Sequence, residues 1–191
     1  MKFDKFTSKA KDALVSAQNH VRYLDQQQVE VEHLLLALLE QEDGAALGVL
    51  EELGCNVAAI RGQLEREIQR FPTVRGGEVY LGPEVLHVIS VAEREARRLR
   101  DQYVGPGHLL IGACQEPRSA AGSILREAGV SAEEAARLLA RVRGGRPIED
   151  VDDDTISRAL KRFARDLCQR AAAGELDPVI GRDREIRRVV Q

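Results

Sequence analysis

The chain has 191 residues, 31% charged and 43% hydrophobic, which suits a soluble, helix-rich globular protein with one good core and a second small unit. The net charge is -3, and basic residues are spread along the chain (18 before residue 144, 10 after it), so no clustered basic face is available for nucleic acid. No apolar run could span a bilayer, Met1–Lys5 opens no signal-peptide core, and three scattered cysteines (Cys55, Cys114, Cys168) fit a reduced, cytoplasmic setting better than a disulfide framework.

In chain order, Ala10, Leu14, Ala17, Val21 and Leu24 recur at steps of four and three. That spacing predicts an amphipathic helix, with Thr7 or Ser8 as its N-cap. Glu32–Glu40 is too hydrophobic for a surface and predicts a buried helix. A third helix is expected from about Ala45 to Leu53, stopped by Gly54 in the left-handed conformation that glycine takes at a C-terminus. A fourth opens at Asn56, with Val57, Ile60, Leu64 and Ile68 on its inner face. Phe71–Tyr80, with Pro72 and Gly76-Gly77, predicts a connector.

The pattern then starts again, 75 residues on. Val29 and His33-Leu34-Leu35 return as Val104 and His108-Leu109-Leu110, Ala45-Ala46 as Ala120-Ala121, and Gly54 as Gly129. Pairing 7–64 with 82–139 needs no gap and gives 14 identities, where composition alone gives about 4, so a duplicated helical unit is indicated. The first helix of the second copy carries Val85, Ile89, Ala92, Ala96 and Leu99, with Pro83 in its first turn. Ser131 with Glu134 three residues on predicts a capping box for the last. The expected fold is all-α: two four-helix repeats, about 7–71 and 82–143, forming an eight-helix pseudo-two-fold bundle over residues 1–143.

Beyond Val142 the composition changes. Gly144-Gly145-Arg146-Pro147 and the acidic run Glu149–Asp154 predict an interdomain linker at 144–154 with little to bury. Residues 155–191 then start a new unit: Asp154 or Thr155 caps a helix carrying Ile156, Leu160, Phe163 and Leu167, and the string Leu176-Asp177-Pro178-Val179-Ile180-Gly181-Arg182-Asp183 follows. Arg187–Val190 has no stop signal and is expected to be the middle of a helix that a longer protein continues.

Paired units with His-Leu-Leu after the first helix, each closing on a glycine, resemble the double N-terminal motif of the Clp unfoldases. The Leu176–Asp183 string is similar to the opening of their first AAA+ ATPase module. Within that family, Phe71-Pro72-Thr73-Val74, Arg143-Gly144-Gly145 and the helix from Ala159-Leu160-Lys161 to Asp166-Leu167 favour the ClpB-like disaggregases. The alternative is a ClpC- or ClpA-like module that receives adaptor proteins for a partner protease; a long coiled-coil insertion in the first ATPase module of the full-length gene would decide for the disaggregase. The resemblance implies a mobile domain that engages exposed apolar stretches of unfolded or aggregated polypeptide. It implies a homohexameric parent that uses ATP and Mg and works with a DnaK-type chaperone. It also implies that Val179 and Ile180 lie on the adenine side of a nucleotide. Gly107 departs from the glutamate common before that histidine, and Cys168 from a usual threonine.

No Gly-x-x-x-x-Gly-Lys-[Ser/Thr] occurs, so no catalytic residues and no cofactor are expected within this chain, and the fragment is expected to be a monomer. His33 and His108 lack metal-ligand spacing and are expected to be hydrogen-bonded scaffold residues. Cys55 and Cys114 are expected to be unreactive, and Arg94, Arg97, Arg98 and Arg100 to form a solvated face with local ion pairs. Substrate contact is expected where the two units meet, at Thr7, Asp101, Tyr103 and Val104, which sit at matching ends of paired elements.

Overall fold

Thr7 turns the N-terminal stretch into α1 (Ser8–Tyr23): its backbone is extended and its hydroxyl accepts a hydrogen bond from the Ala10 amide. The structure, a computed structural model, describes residues 3–74, 76–143 and 147–152. The helix expected from residue 155, Cys168, and the string with Val179 and Ile180 lie outside the described residues.

Eight helices are found among the described residues. In the first repeat α1 is followed by α2 (Val31–Glu40), α3 (Ala45–Glu52) and α4 (Val57–Ile68). In the second, α5 (Pro83–Arg98), α6 (Pro106–Cys114), α7 (Ala120–Glu127) and α8 (Ala132–Val142) take the same places. The expected stripes are the buried ones: Ala10, Leu14, Ala17 and Val21 on α1, and Val85, Ile89, Ala92 and Ala96 on α5. Gly54 and Gly129 end α3 and α7 at φ of 72° and 79°, as the duplicated glycines require. Asp25 and Arg100 follow α1 and α5 in the same left-handed region without being glycine, and each turns the next residue, Gln26 or Asp101, inward.

The helices α2 and α6 form the centre. Leu34, Leu35, Leu38 and Leu39 on one, and Leu109, Leu110 and Ile111 on the other, are fully buried, because each helix is surrounded by partners from both repeats. Each such side chain contributes about 1.5–3 kcal/mol by leaving water. Around this pair the repeats exchange neighbours: α3 lies on α8 and α4 on α7.

Two short parallel pairings complete the exchange. β1 (Gln28–Val29) pairs with β2 (Tyr80–Leu81), setting Val29 opposite Leu81. Phe6 and Val104 form the equivalent bridge, each 75 residues from its counterpart in the other pair. The Gly82 amide donates to the Val29 carbonyl at 2.9 Å and the Thr7 amide to the Val104 carbonyl at 3.0 Å, so the pseudo-two-fold holds at the level of single hydrogen bonds. The Ser131 hydroxyl accepts from the Glu134 amide at 3.2 Å, which caps α8, while the Glu134 carboxylate faces that hydroxyl at 3.4 Å.

The stretch read as a linker with little to bury behaves otherwise at 147–152. Ile148 is buried, its amide donates to the Asp101 carboxylate, and its carbonyl accepts from the Gln102 amide at 2.9 Å. Further on, the Val151 carbonyl accepts from the Ser8 amide at 2.9 Å. One apolar residue in an acidic run carries no period, so composition could not show it.

Candidate functional site

The two histidines do the same work in both repeats. Nδ1 of His33 accepts from the Glu30 amide at 3.1 Å, and Nδ1 of His108 from the Gly105 amide at 3.0 Å; each ties down the residue that precedes its helix. With Nδ1 an acceptor, Nε2 carries the proton. It donates to Gln26 Oε1 at 2.8 Å in the first repeat and to Asp101 Oδ2 at 2.8 Å in the second. Both nitrogens of each ring are therefore engaged, as scaffold histidines require. Burial, with the nearby His20 charge, pushes the His33 pKa down to about 4, so this ring is neutral near neutral pH.

The copies diverge at the partner. Gln26 passes its second hydrogen bond to the Ile68 carbonyl at 2.8 Å. Asp101 instead accepts from Arg143 Nη1 at 2.8 Å and from the Ile148 amide at 2.7 Å. Burial alone would raise the Asp101 pKa, but the hydrogen bonds from His108, Ile148 and Arg143, with the Arg143 charge, hold it below the ordinary carboxylate value.

The four residues expected to touch substrate are brought into one neighbourhood, at the join of the repeats. Three of them are buried: Thr7 at 0%, Val104 at 3% and Asp101 at 8% exposure. Thr7 caps α1, Val104 exchanges hydrogen bonds with Lys5 and Thr7, and Asp101 holds the network just described. Tyr103 alone of the four reaches the surface in part. Residues 147–152 lie against the same neighbourhood, and the Ser8 hydroxyl donates to Asp152 Oδ1 at 2.6 Å.

The equivalent neighbourhood of the first repeat is open. A cleft of about 130 Å³ lies between Gln26, Gln28 and Glu30 on one side and Phe71, Pro72, Val74 and Tyr80 on the other. Phe71 leans on the His33 ring at 5.5 Å between centroids, while Val74 and Tyr80 are 45% and 52% exposed. Burial, reinforced by the carboxylates of Glu32 and Glu84, pushes the Glu30 pKa up to about 7. The cleft thus presents apolar walls and amides beside a carboxyl that burial makes unusually easy to protonate. Sequence reasoning missed it, since its walls come from the connector and from β1, which no periodicity brings together.

Glu32 and Gly107, one of the positions where the copies differ in charge, have separate tasks. Glu32 is 3% exposed, and its Oε1 accepts from the Ala121 amide at 2.9 Å, capping α7 across the pseudo-two-fold. Glu32→Ala is expected to cost about 1–2 kcal/mol by orphaning that amide. Glu32→Gln, which keeps an acceptor oxygen, should retain most of the stability; urea unfolding of both variants checks this. At Gly107 a Cβ would meet Leu139 Cδ1 at 2.3 Å, so the leucine fills the space that a side chain would need.

Burial pushes the Cys114 thiol up to about 12 and raises that of Cys55, which leaves little thiolate on either. Arg98 pairs with Glu95 at 2.7 Å one turn away, the local ion pair expected of that face. No helix among the described residues is long and apolar enough to cross a membrane.

Fold and duplication define a double-repeat, all-α domain. Residues 5–128 match the Clp repeat (R) N-terminal domain, and the chain belongs to that family. Over its whole length it is 37% identical to the chaperone protein ClpB of Nitratidesulfovibrio vulgaris, and it spans 23% of that protein. The Hsp104 N-terminal domain from Candida albicans shares the fold, with a TM-score of 0.69 and 18% identity over 80% of this chain and 100% of that one. A ClpV N-domain in complex with a VipB peptide does so with a TM-score of 0.60 and 19% identity, over 72% of this chain and 86% of that one. The repeats are a Clp N-terminal domain.

Proposed function

We propose that the chain is the substrate-engaging N-terminal part of a ClpB-like, ATP-dependent disaggregase, and that it binds exposed apolar segments of unfolded or aggregated protein. The observation that carries this reading is similarity to ClpB over the entire chain, repeats and Leu176–Asp183 string alike. The peptide complex of the like-folded ClpV N-domain supports polypeptide as the class of ligand. The parent is a cytoplasmic homohexamer that uses ATP and Mg and works with a DnaK-type chaperone; nucleotide contact by Val179 and Ile180 belongs to its ATPase.

The substrate surface is the join of the repeats. Tyr103 offers contact, framed by Thr7, Asp101 and Val104, and the cleft edged by Val74 and Tyr80 lies in the twin position. Shallow apolar contacts of this kind favour weak, sequence-tolerant binding, and six copies on one ring raise the avidity without new contacts. Titrating isotopically labelled protein with a permanently unfolded, apolar client is expected to give saturable amide shifts at Tyr103, Val74 and Tyr80. Absence of shifts with any unfolded client would sink the reading.

A further inference from the structure

We infer that residues 147–152 are an internal occupant of the surface that substrate uses, so that a client segment and this stretch of the chain exclude one another. The inference rests on the substrate-binding reading above and adds the chemistry of the segment that the surface accepts.

Backbone and side-chain contacts both hold 147–152 in place. Three of its bonds use backbone atoms: the Ile148 amide to Asp101 Oδ1 at 2.7 Å, the Ile148 carbonyl from the Gln102 amide at 2.9 Å, and the Val151 carbonyl from the Ser8 amide at 2.9 Å. Any peptide that turns as residues 150–152 do can supply the same donor and acceptors, because backbone groups are common to all sequences. Two contacts depend on side chains. Ile148 is 3% exposed, and Asp152 takes the Ser8 hydroxyl at 2.6 Å, at the N-terminus of the sixteen-residue α1, where a carboxylate is favoured.

The first repeat differs at the corresponding place. There the Val74 amide donates to the Asp25 carbonyl at 2.6 Å, Thr73 is exposed, and an open cleft is lined by Phe71, Pro72 and Val74. The surface therefore fits a segment that seats one apolar residue beside Asp101 and then turns to bring a carboxylate to the start of α1, as Ile148 and Asp152 do.

The test uses the full chain, as wild type, Ile148→Ala and Asp152→Asn, titrated with a reduced, carboxymethylated apolar protein and followed at the Ser8 and Gln102 amides. Truncating Ile148 is expected to shift both amides without client and to tighten client binding on the order of tenfold, because the competent, unoccupied state gains population. Asp152→Asn, which leaves the apolar anchor in place, should give a smaller change in the same direction. In wild type, client should move the same two amides towards their positions in Ile148→Ala. Client binding at equal affinity to all three chains, with Ser8 and Gln102 unmoved, would overturn the inference and leave the substrate-binding reading standing. Failure of client to bind any of the three would overturn that reading, and the inference with it.

Discussion

Asp101→Ala is expected to destabilise the repeat domain by about 3–5 kcal/mol, because it leaves a buried charge without its partner. The Arg143 side chain is 10% exposed and that of Asp101 0%, so water cannot replace the lost carboxylate. His108 Nε2 and the Ile148 amide lose their acceptor at the same time. Asp101→Asn should fall between, since an amide oxygen still accepts one bond but cannot balance Arg143. The acid limb adds a second readout. A carboxyl whose folded pKa lies below its unfolded value contributes fully above that unfolded value, near 3.8 here, and loses the contribution as pH falls through the folded one. Urea midpoints of wild type should therefore drop over this range, and those of Asp101→Ala should drop less. Unchanged stability in Asp101→Ala would show that Asp101 is not a scaffold.

Gly107→Glu, which restores the residue of the first copy, is expected to cost about 1–3 kcal/mol. The new Cβ would come within 2.3 Å of Leu139 Cδ1, and Leu139 is 1% exposed, with nowhere to retreat. In the first copy Glu32 caps α7; by symmetry a glutamate at 107 would reach for α3, whose N-cap, Gly44, offers no side chain. A new cap offsets part of the strain, so pairing Gly107→Glu with Leu139→Ala should recover stability relative to the sum of the two changes. Additive losses in the double mutant would show that the clash with Leu139 is not the cause.

Much of this was legible beforehand because it depends on local rules. The stripes of α1 and α5 follow helical spacing, Gly54 and Gly129 stop their helices because glycine tolerates positive φ, and the paired histidines sit where neither has metal-ligand neighbours. The sequence also placed Thr7, Asp101, Tyr103 and Val104 together, as contacts. It did not show that Asp101 is a buried hub, since its partners His108, Arg143 and Ile148 lie 7, 42 and 47 residues away. The capping role of His33 and His108 went unread because the usual box places glutamate or glutamine there.

The amino-acid sequence by itself determined the duplication, the helix order and the apolar stripes, since each is written in spacing along one chain. Only the tertiary structure decided that α3 lies on α8 and α4 on α7, that Phe6 meets Val104 as Leu81 meets Val29, and that Ile148 docks beside Asp101. The physical reason is range. A period records which face of a helix is apolar but not which distant face will cover it, and a two-residue strand or a lone isoleucine has no period at all.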